Sequence, residues 1–146
     1  MEESLKIYSK IKEVFQMGEV DVKTYSPLTL AFIGDCVFDL IIRSYVVAEG
    51  NRATDSLHKS KSRIVKASSQ AAMIDRIYDS LTPEEQDIYR RGRNAKSHTM
   101  AKNASMADYR KATGLEALCG YLYLQDRTDR ILELIKLGME EDSQGM

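Results

Sequence analysis

Apolar residues recur along this chain at intervals of three and four, and nowhere alternate convincingly with polar ones. That pattern predicts helices throughout and no sheet. A first helix over about Glu2 to Met17 carries Leu5, Tyr8, Ile11 and Phe15 on one face. Ser26 followed by Pro27 is a start signal: a hydroxyl that can accept from a free N–H, then a ring already fixed at helical φ. The helix it opens runs to about Ala48, and Gly50 with Asn51 ends it. Its interior is apolar almost all round, which predicts a buried central helix. Gly34 inside it costs about 1 kcal/mol relative to alanine, and close approach of another backbone would account for it.

Thr54 or Asp55 is expected to cap a third helix reaching about Ser80. Thr82-Pro83-Glu84-Glu85 reads as a capping box with proline at the first position, so a short helix runs to Arg91 and Gly92 closes it. The stretch 93–104 has weak periodicity and predicts a loop. Ser105 with Asp108 opens a helix through Leu124, and a last helix covers about Asp129 to Glu140 before a charged tail. No repeat or long linker divides the chain, so 1–146 reads as one domain. Hydrophobic residues at 43% with 29% charged fit a packed core and argue against disorder. No apolar run approaches the roughly 20 residues that span a bilayer, and the amino terminus lacks a signal-peptide core, so a cytoplasmic location is expected. Cys36 and Cys119 read as reduced core residues, with no disulfide and no zinc-site spacing.

Two segments carry the chemistry. LAFIGDCVFDL, at 30–40, and LEALCGYLYL, at 115–124, each hold a carboxylate inside an apolar helical run: Asp35 in the first, Glu116 in the second. A charge facing a core is costly unless it is paired or holds a metal, and two such carboxylates suit a hard cation with oxygen ligands. Asp39 shares a helix face with Asp35. The plainer reading of an acid pair on a helix is a solvated stripe, but such a stripe would have polar neighbours. Lys111 is the one basic residue at near-helical spacing from Glu116.

Net charge is only −1, yet it is unevenly spread. From His58 to Lys111 there are 12 Lys or Arg against 6 Asp or Glu, whereas acids dominate on either side. A basic face for a polyanion is therefore expected. Arg91, Arg93, Lys96, His98 and Lys102 crowd the stretch 90–102, and Lys59 and Lys61 add a second basic strip. Either could equally be a solvated surface. No aromatics interleave these runs, so shape-based reading of a duplex fits better than stacking on single strands. Tyr78, Tyr89, Tyr109, Tyr121 and Tyr123 read as core or interface packing with a hydroxyl reaching a partner.

LAFIGDCVFDL resembles the signature helix of the ribonuclease III family, LEFLGDAVLEL, and GLEALCGYLYL resembles its second acidic helix, ADxxEALIGAIYLD. The match covers nearly the whole chain and looks most like the short, Mini-type members, which carry the catalytic domain alone. The resemblance implies an all-α ribonuclease III-like fold of six or seven helices, dimerised through the signature helices. It implies that Asp35 and Glu116 are catalytic and hold magnesium, with manganese able to substitute, for hydrolysis of double-stranded RNA to 5′-phosphate and 3′-hydroxyl ends. Asp39 falls on the VLEL glutamate and reads as a supporting or structural acid. The substrate implied is precursor large-subunit (23S) ribosomal RNA, with room for a ribosomal protein as helper and no membrane partner. Ala31 and Thr113 stand where the larger enzymes carry further acids, as in Mini-type members. Rival readings are a non-catalytic RNA-binding or ribosome-associated module of the same fold, and a helical interaction protein. Retention of both acids disfavours the first, and the segregated charge disfavours the second.

Overall fold

The structure is a computed structural model and describes residues 6–96 and 105–144, with side chains through residue 139. The described residues form seven α-helices in order: α1 Ile7–Val14, α2 Pro27–Ala48, α3 Thr54–Val65, α4 Ala67–Ile77, α5 Pro83–Asn94, α6 Met106–Tyr123 and α7 Thr128–Gln144. Single 3-10 turns cover Val22–Thr24 and Tyr78–Ser80, and the described residues contain no strand. The all-α expectation is met.

Local chemistry fixes several helix starts. Ser26 Oγ accepts from the Thr29 N–H at 3.2 Å ahead of α2. At α5 the capping box is complete: the Glu85 N–H donates to Thr82 Oγ1 at 3.1 Å, and the Thr82 N–H donates to Glu85 Oε1 at 2.9 Å. Ser105 accepts from the Asp108 N–H at 3.0 Å to open α6. Other boundaries differ from expectation. The long third helix is broken at Lys66, whose ψ of 155° is extended, and α3 starts after Ala53 without a side-chain cap. Side chains of α4 satisfy carbonyls left free at that break: Ser69 Oγ donates to Arg63 O at 2.6 Å and Gln70 Nε2 to Val65 O at 2.7 Å. Gly92 lies inside α5 and is buried against α6, so it does not end the helix. The last helix continues through Gln144, into the charged tail expected to lie beyond it.

The central helix is α6, not α2. It packs against α2, α4, α5 and α7, and its buried run includes the small residues Ala112, Gly114, Ala117 and Gly120. Small side chains are what let neighbours approach a helix from several sides. α2 buries Leu30, Ala31, Gly34, Val37, Phe38, Ile42 and Val46 against the core. Its other face presents Phe32, 82% exposed, with Leu28, Leu40 and Val47, and Tyr45 is exposed on a different side near the end of the helix. An all-round apolar helix is thus only half covered by its own chain. Cys36 is likewise exposed, against the core expectation, while Cys119 is buried and both are free thiols.

Gly34 does meet another backbone closely, and it is that of α6. A Cβ at 34 would stand 1.7 Å from the Glu116 carbonyl oxygen, and one at Gly120 would stand 2.0 Å from the Leu30 carbonyl oxygen. Each helix therefore supplies a glycine where the other's main chain passes. The apolar side of α1 has little cover: none of its residues is buried, and the helix is tied down by the Ser9 hydroxyl to Asp126 and by Tyr8 against Tyr123, ring centroids 5.5 Å apart.

Gly34→Ala should lower stability by about 1–3 kcal/mol through overpacking, more than the gain of up to about 1 kcal/mol in helix propensity. Thermal unfolding followed by circular dichroism checks this. A midpoint equal to or above that of the parent protein would contradict the close crossing.

Candidate active site

The glycine crossing sets two carboxyl groups side by side. Asp35 follows Gly34 on α2, and Glu116 is the residue whose carbonyl Gly34 approaches on α6. Both line a cleft of about 820 Å³ together with Asp39 and Lys61 from the α2–α3 side, and Gln70 and Thr113 from the α4–α6 side. Asp35 is exposed at the mouth, whereas Glu116 is half-buried in the wall, so the burial inferred for both acids holds only for Glu116.

Glu116 is pushed up to about 8. Burial is the main cause, followed by the charge of Asp35. A hydrogen bond between the two carboxyl groups raises it further, and only the Gln70 amide, whose Nε2 donates to Oε2 at 3.4 Å, works the other way. No cation among the described residues forms an ion pair with Asp35 or Glu116. Lys111 is taken by Asp75 at 2.9 Å and does not serve Glu116. Asp39, in contrast, is neutralised: Arg43 Nε donates to it at 2.7 Å, and Lys61 Nζ lies 3.3 Å from its other oxygen. Buried Cys119 is pushed up to about 12, by burial and then by Glu116, which leaves it an inert thiol.

Ala31 and Thr113 line the same cleft, so the positions at which the sequence lacks acids do face the site. Thr113 turns its hydroxyl to its own helix, donating to Tyr109 O at 3.0 Å. Lys59 is exposed on α3, and Lys61 reaches the cleft only as the ion-pair partner of Asp39. Arg91 and Lys96 are exposed at the end of α5, away from the cleft lining, and the Arg93 guanidinium lies over the Tyr89 ring at 5.6 Å. His98 and Lys102 lie outside the described residues. Gln70 was not legible as a site residue: one amide in the polar run KASSQ carries no signal of its own.

The family model for the Ribonuclease III domain matches residues 28–127, which spans α2 to the end of α6 and holds both carboxylates. The chain belongs to the ribonuclease III family, in its Mini-ribonuclease 3 branch. Among curated relatives, Mini-ribonuclease 3 of Thermoanaerobacter sp. (strain X514) is 49% identical over 119 residues, covering 82% of this chain and 84% of that protein. Mini-ribonuclease 3 of Clostridium tetani is 44% identical over 128 residues, 85% of each chain. The Staphylococcus aureus protein of that name is 42% identical over 116 residues, covering 78% and 87%. A crystal structure of a protein from Fusobacterium nucleatum superposes with a TM-score of 0.75 at 31% identity, over 85% of this chain and 99% of that one. Membership makes the chain an endoribonuclease, of a family that acts on double-stranded RNA. No helix among the described residues is long and apolar enough to cross a membrane.

The raised Glu116 has a consequence for stability. The unfolded chain releases this proton near the ordinary value of 4.5, while the folded chain keeps it up to about 8. Between those values the unfolded state binds fewer protons, so stability falls as pH rises through the window and levels off above it. In a chelating buffer the loss should be on the order of 3 kcal/mol between pH 5 and 8, given about 1.4 kcal/mol for each unit. Denaturant melts at a series of pH values measure it, and Glu116→Gln should flatten the slope. A slope unchanged by that substitution would refute the assignment.

Proposed function

We propose that the chain is a magnesium-dependent endoribonuclease, a single catalytic domain acting in the cytoplasm as a homodimer, that cleaves the two strands of a ribosomal RNA precursor duplex. The observation that carries this reading is the Asp35–Glu116 pair: two carboxyl groups held together in a cleft, neither of them in an ion pair with a described cation. The donor set fits a hard cation. It is all oxygen, and no cluster of three acids, cysteines or histidines suited to a metal occurs among the described residues. Magnesium is the cation usually held by one or two carboxylates, with water and substrate phosphate completing its shell. When bound, it supplies neutralisation of charge on the scissile phosphate and acidification of a water.

The chain's own residues do the rest. Asp35 and Glu116 would hold the ion, Asp35 at the mouth and Glu116 from the wall. Asp39 holds Lys61 at the cleft, where its ammonium can face a phosphate, and keeps its own charge out of competition for metal. Lys59, Arg91, Arg93 and Lys96, with His98 and Lys102, are read as contacts to the backbone of the duplex, which require no base sequence. The exposed row of Leu28, Phe32, Leu40 and Val47 supports the homodimer, because monomers rarely present so many large apolar side chains along one helix face. Precursor 23S ribosomal RNA is proposed as the substrate, supported by the Mini-type resemblance alone.

Asp35→Asn should reduce cleavage of a duplex RNA in magnesium by at least about 100-fold while fold and duplex binding persist, and Glu116→Gln should do the same. Gel-resolved cleavage with and without magnesium checks this. Near-normal rates in either variant would remove that residue from the mechanism, and cleavage indifferent to chelation would remove the metal.

Neutralising Arg91, Arg93 and Lys96 together should weaken duplex binding and make its salt dependence shallower. The slope of log affinity against log salt should fall by about 0.9 for each phosphate no longer neutralised, on the scale of duplex DNA. Binding isotherms over a series of salt concentrations give this slope. An unchanged slope would leave these residues as solvated surface.

A further inference from the structure

Gln70 is a neutral cleft residue with no part in the reaction as proposed. It sits in the first turn of α4, is only 4% exposed, and lines the cleft beside Glu116. Its amide is oriented without ambiguity. Nε2 donates to Val65 O at 2.7 Å and faces Glu116 Oε2 at 3.4 Å. A backbone carbonyl can only accept, so turning the amide over would set two acceptors against each other. Oε1 is thereby left buried with no donor among the described residues. A buried acceptor without a partner is costly and asks for an explanation. Since the two atoms of one amide lie roughly 2.2 Å apart, Oε1 falls within roughly 6 Å of the Glu116 carboxylate.

From this geometry we infer that Gln70 is a positioning residue of the reaction. Its Nε2 anchors the Glu116 carboxylate to the fixed end of α3, and its Oε1 accepts a hydrogen bond from a water in the hydration shell of the cation that Asp35 and Glu116 hold. The inference rests on the reading of the cleft as a cation site. It also explains how the site works with Ala31 and Thr113 in place of acids. A carboxylate at either position would add ligand charge, whereas an amide adds an oriented donor and acceptor without further like-charge repulsion on Glu116. Groups that orient a metal's ligands in this way typically contribute about 10- to 100-fold in metal affinity or activity.

The test uses manganese as probe. Mn²⁺ binding to the intact protein is followed by electron paramagnetic resonance, without RNA, for the parent protein, Asp35→Asn and Gln70→Leu, which keeps the volume and removes both polar atoms. Gln70→Leu should weaken Mn²⁺ binding by about 10- to 100-fold. It should lower kcat on duplex RNA by a similar factor with KM for the duplex little changed, and excess Mn²⁺ should restore part of the rate. A merely structural role at the end of α3 would lower the melting temperature while leaving Mn²⁺ affinity and kcat as they were, and that result overturns the inference. Failure of the parent protein to bind Mn²⁺, or equal binding by Asp35→Asn, would instead sink the reading of the cleft itself. Should Gln70→Leu not fold, the parent protein still decides: the Gln70 side-chain amide resonance should move on titration with Mg²⁺ and stay put in Asp35→Asn. A resonance that ignores Mg²⁺ in the parent overturns the inference.

Discussion

The structure depends on two main chains being able to pass within touching distance where α2 crosses α6. Gly34 and Gly120 are each the residue that the other helix requires to be bare: even one methyl group would overlap a carbonyl oxygen. Ordinary helix pairs stand about 8–10 Å apart because side chains separate them. Here the separation is removed at one point, and that point is one residue from Asp35 and falls on Glu116. The separation of the two backbones that carry the carboxyl groups is therefore set by main-chain packing, which is stiffer than any arrangement of rotamers. Packing and chemistry are decided at the same place.

The acids of the fold and the acid in the cleft wall are treated in opposite ways. Asp39, Asp75 and Glu85 are each neutralised within the chain, by Arg43 and Lys61, by Lys111, and by Arg130 with Arg127. Burial works against ionisation of Glu85, but the Arg130 guanidinium, the Thr82 N–H and Arg127 outweigh it and hold the carboxyl below its usual range. Glu116 is treated in the opposite way. It is half-buried, faces a like charge, and receives one long hydrogen bond from an amide. A folded protein tolerates such a pair only at a cost to its stability, and sites that carry that cost are commonly functional.

What could be read from the sequence was whatever depends on near neighbours in the chain. Ser26-Pro27 and the Thr82–Glu85 box act within one turn, and both helix starts are where the sequence puts them. Asp35 and Glu116 stood out because single acids in apolar runs are conspicuous, and a family motif frames each. The break at Lys66 was not legible, since no glycine or proline marks it and it is secured by side chains three and four residues further on. The ranking of α2 and α6 could not be read either. Apolar girth says that a helix is covered, and says nothing about whether its own chain covers it. Gly92 looked like a helix end because glycine often is one, yet its bareness serves close packing against α6. The role of Gln70 depends on a partner 46 positions away, and a lone polar residue announces no such partner.

α1 bears on how the molecule comes apart. It contributes no buried residue, lies outside the segment matched by the family model, and is held by the Ser9–Asp126 bond and one aromatic pair. Regions with little buried surface open at far lower free energy than a core does. Unfolding therefore proceeds in stages, with the amino-terminal helix lifting away while the α2–α6 crossing and its carboxyl pair persist. Amide protons of α1 then exchange with solvent long before those of α6, and a protease can trim the chain back to α2 without disturbing the cleft.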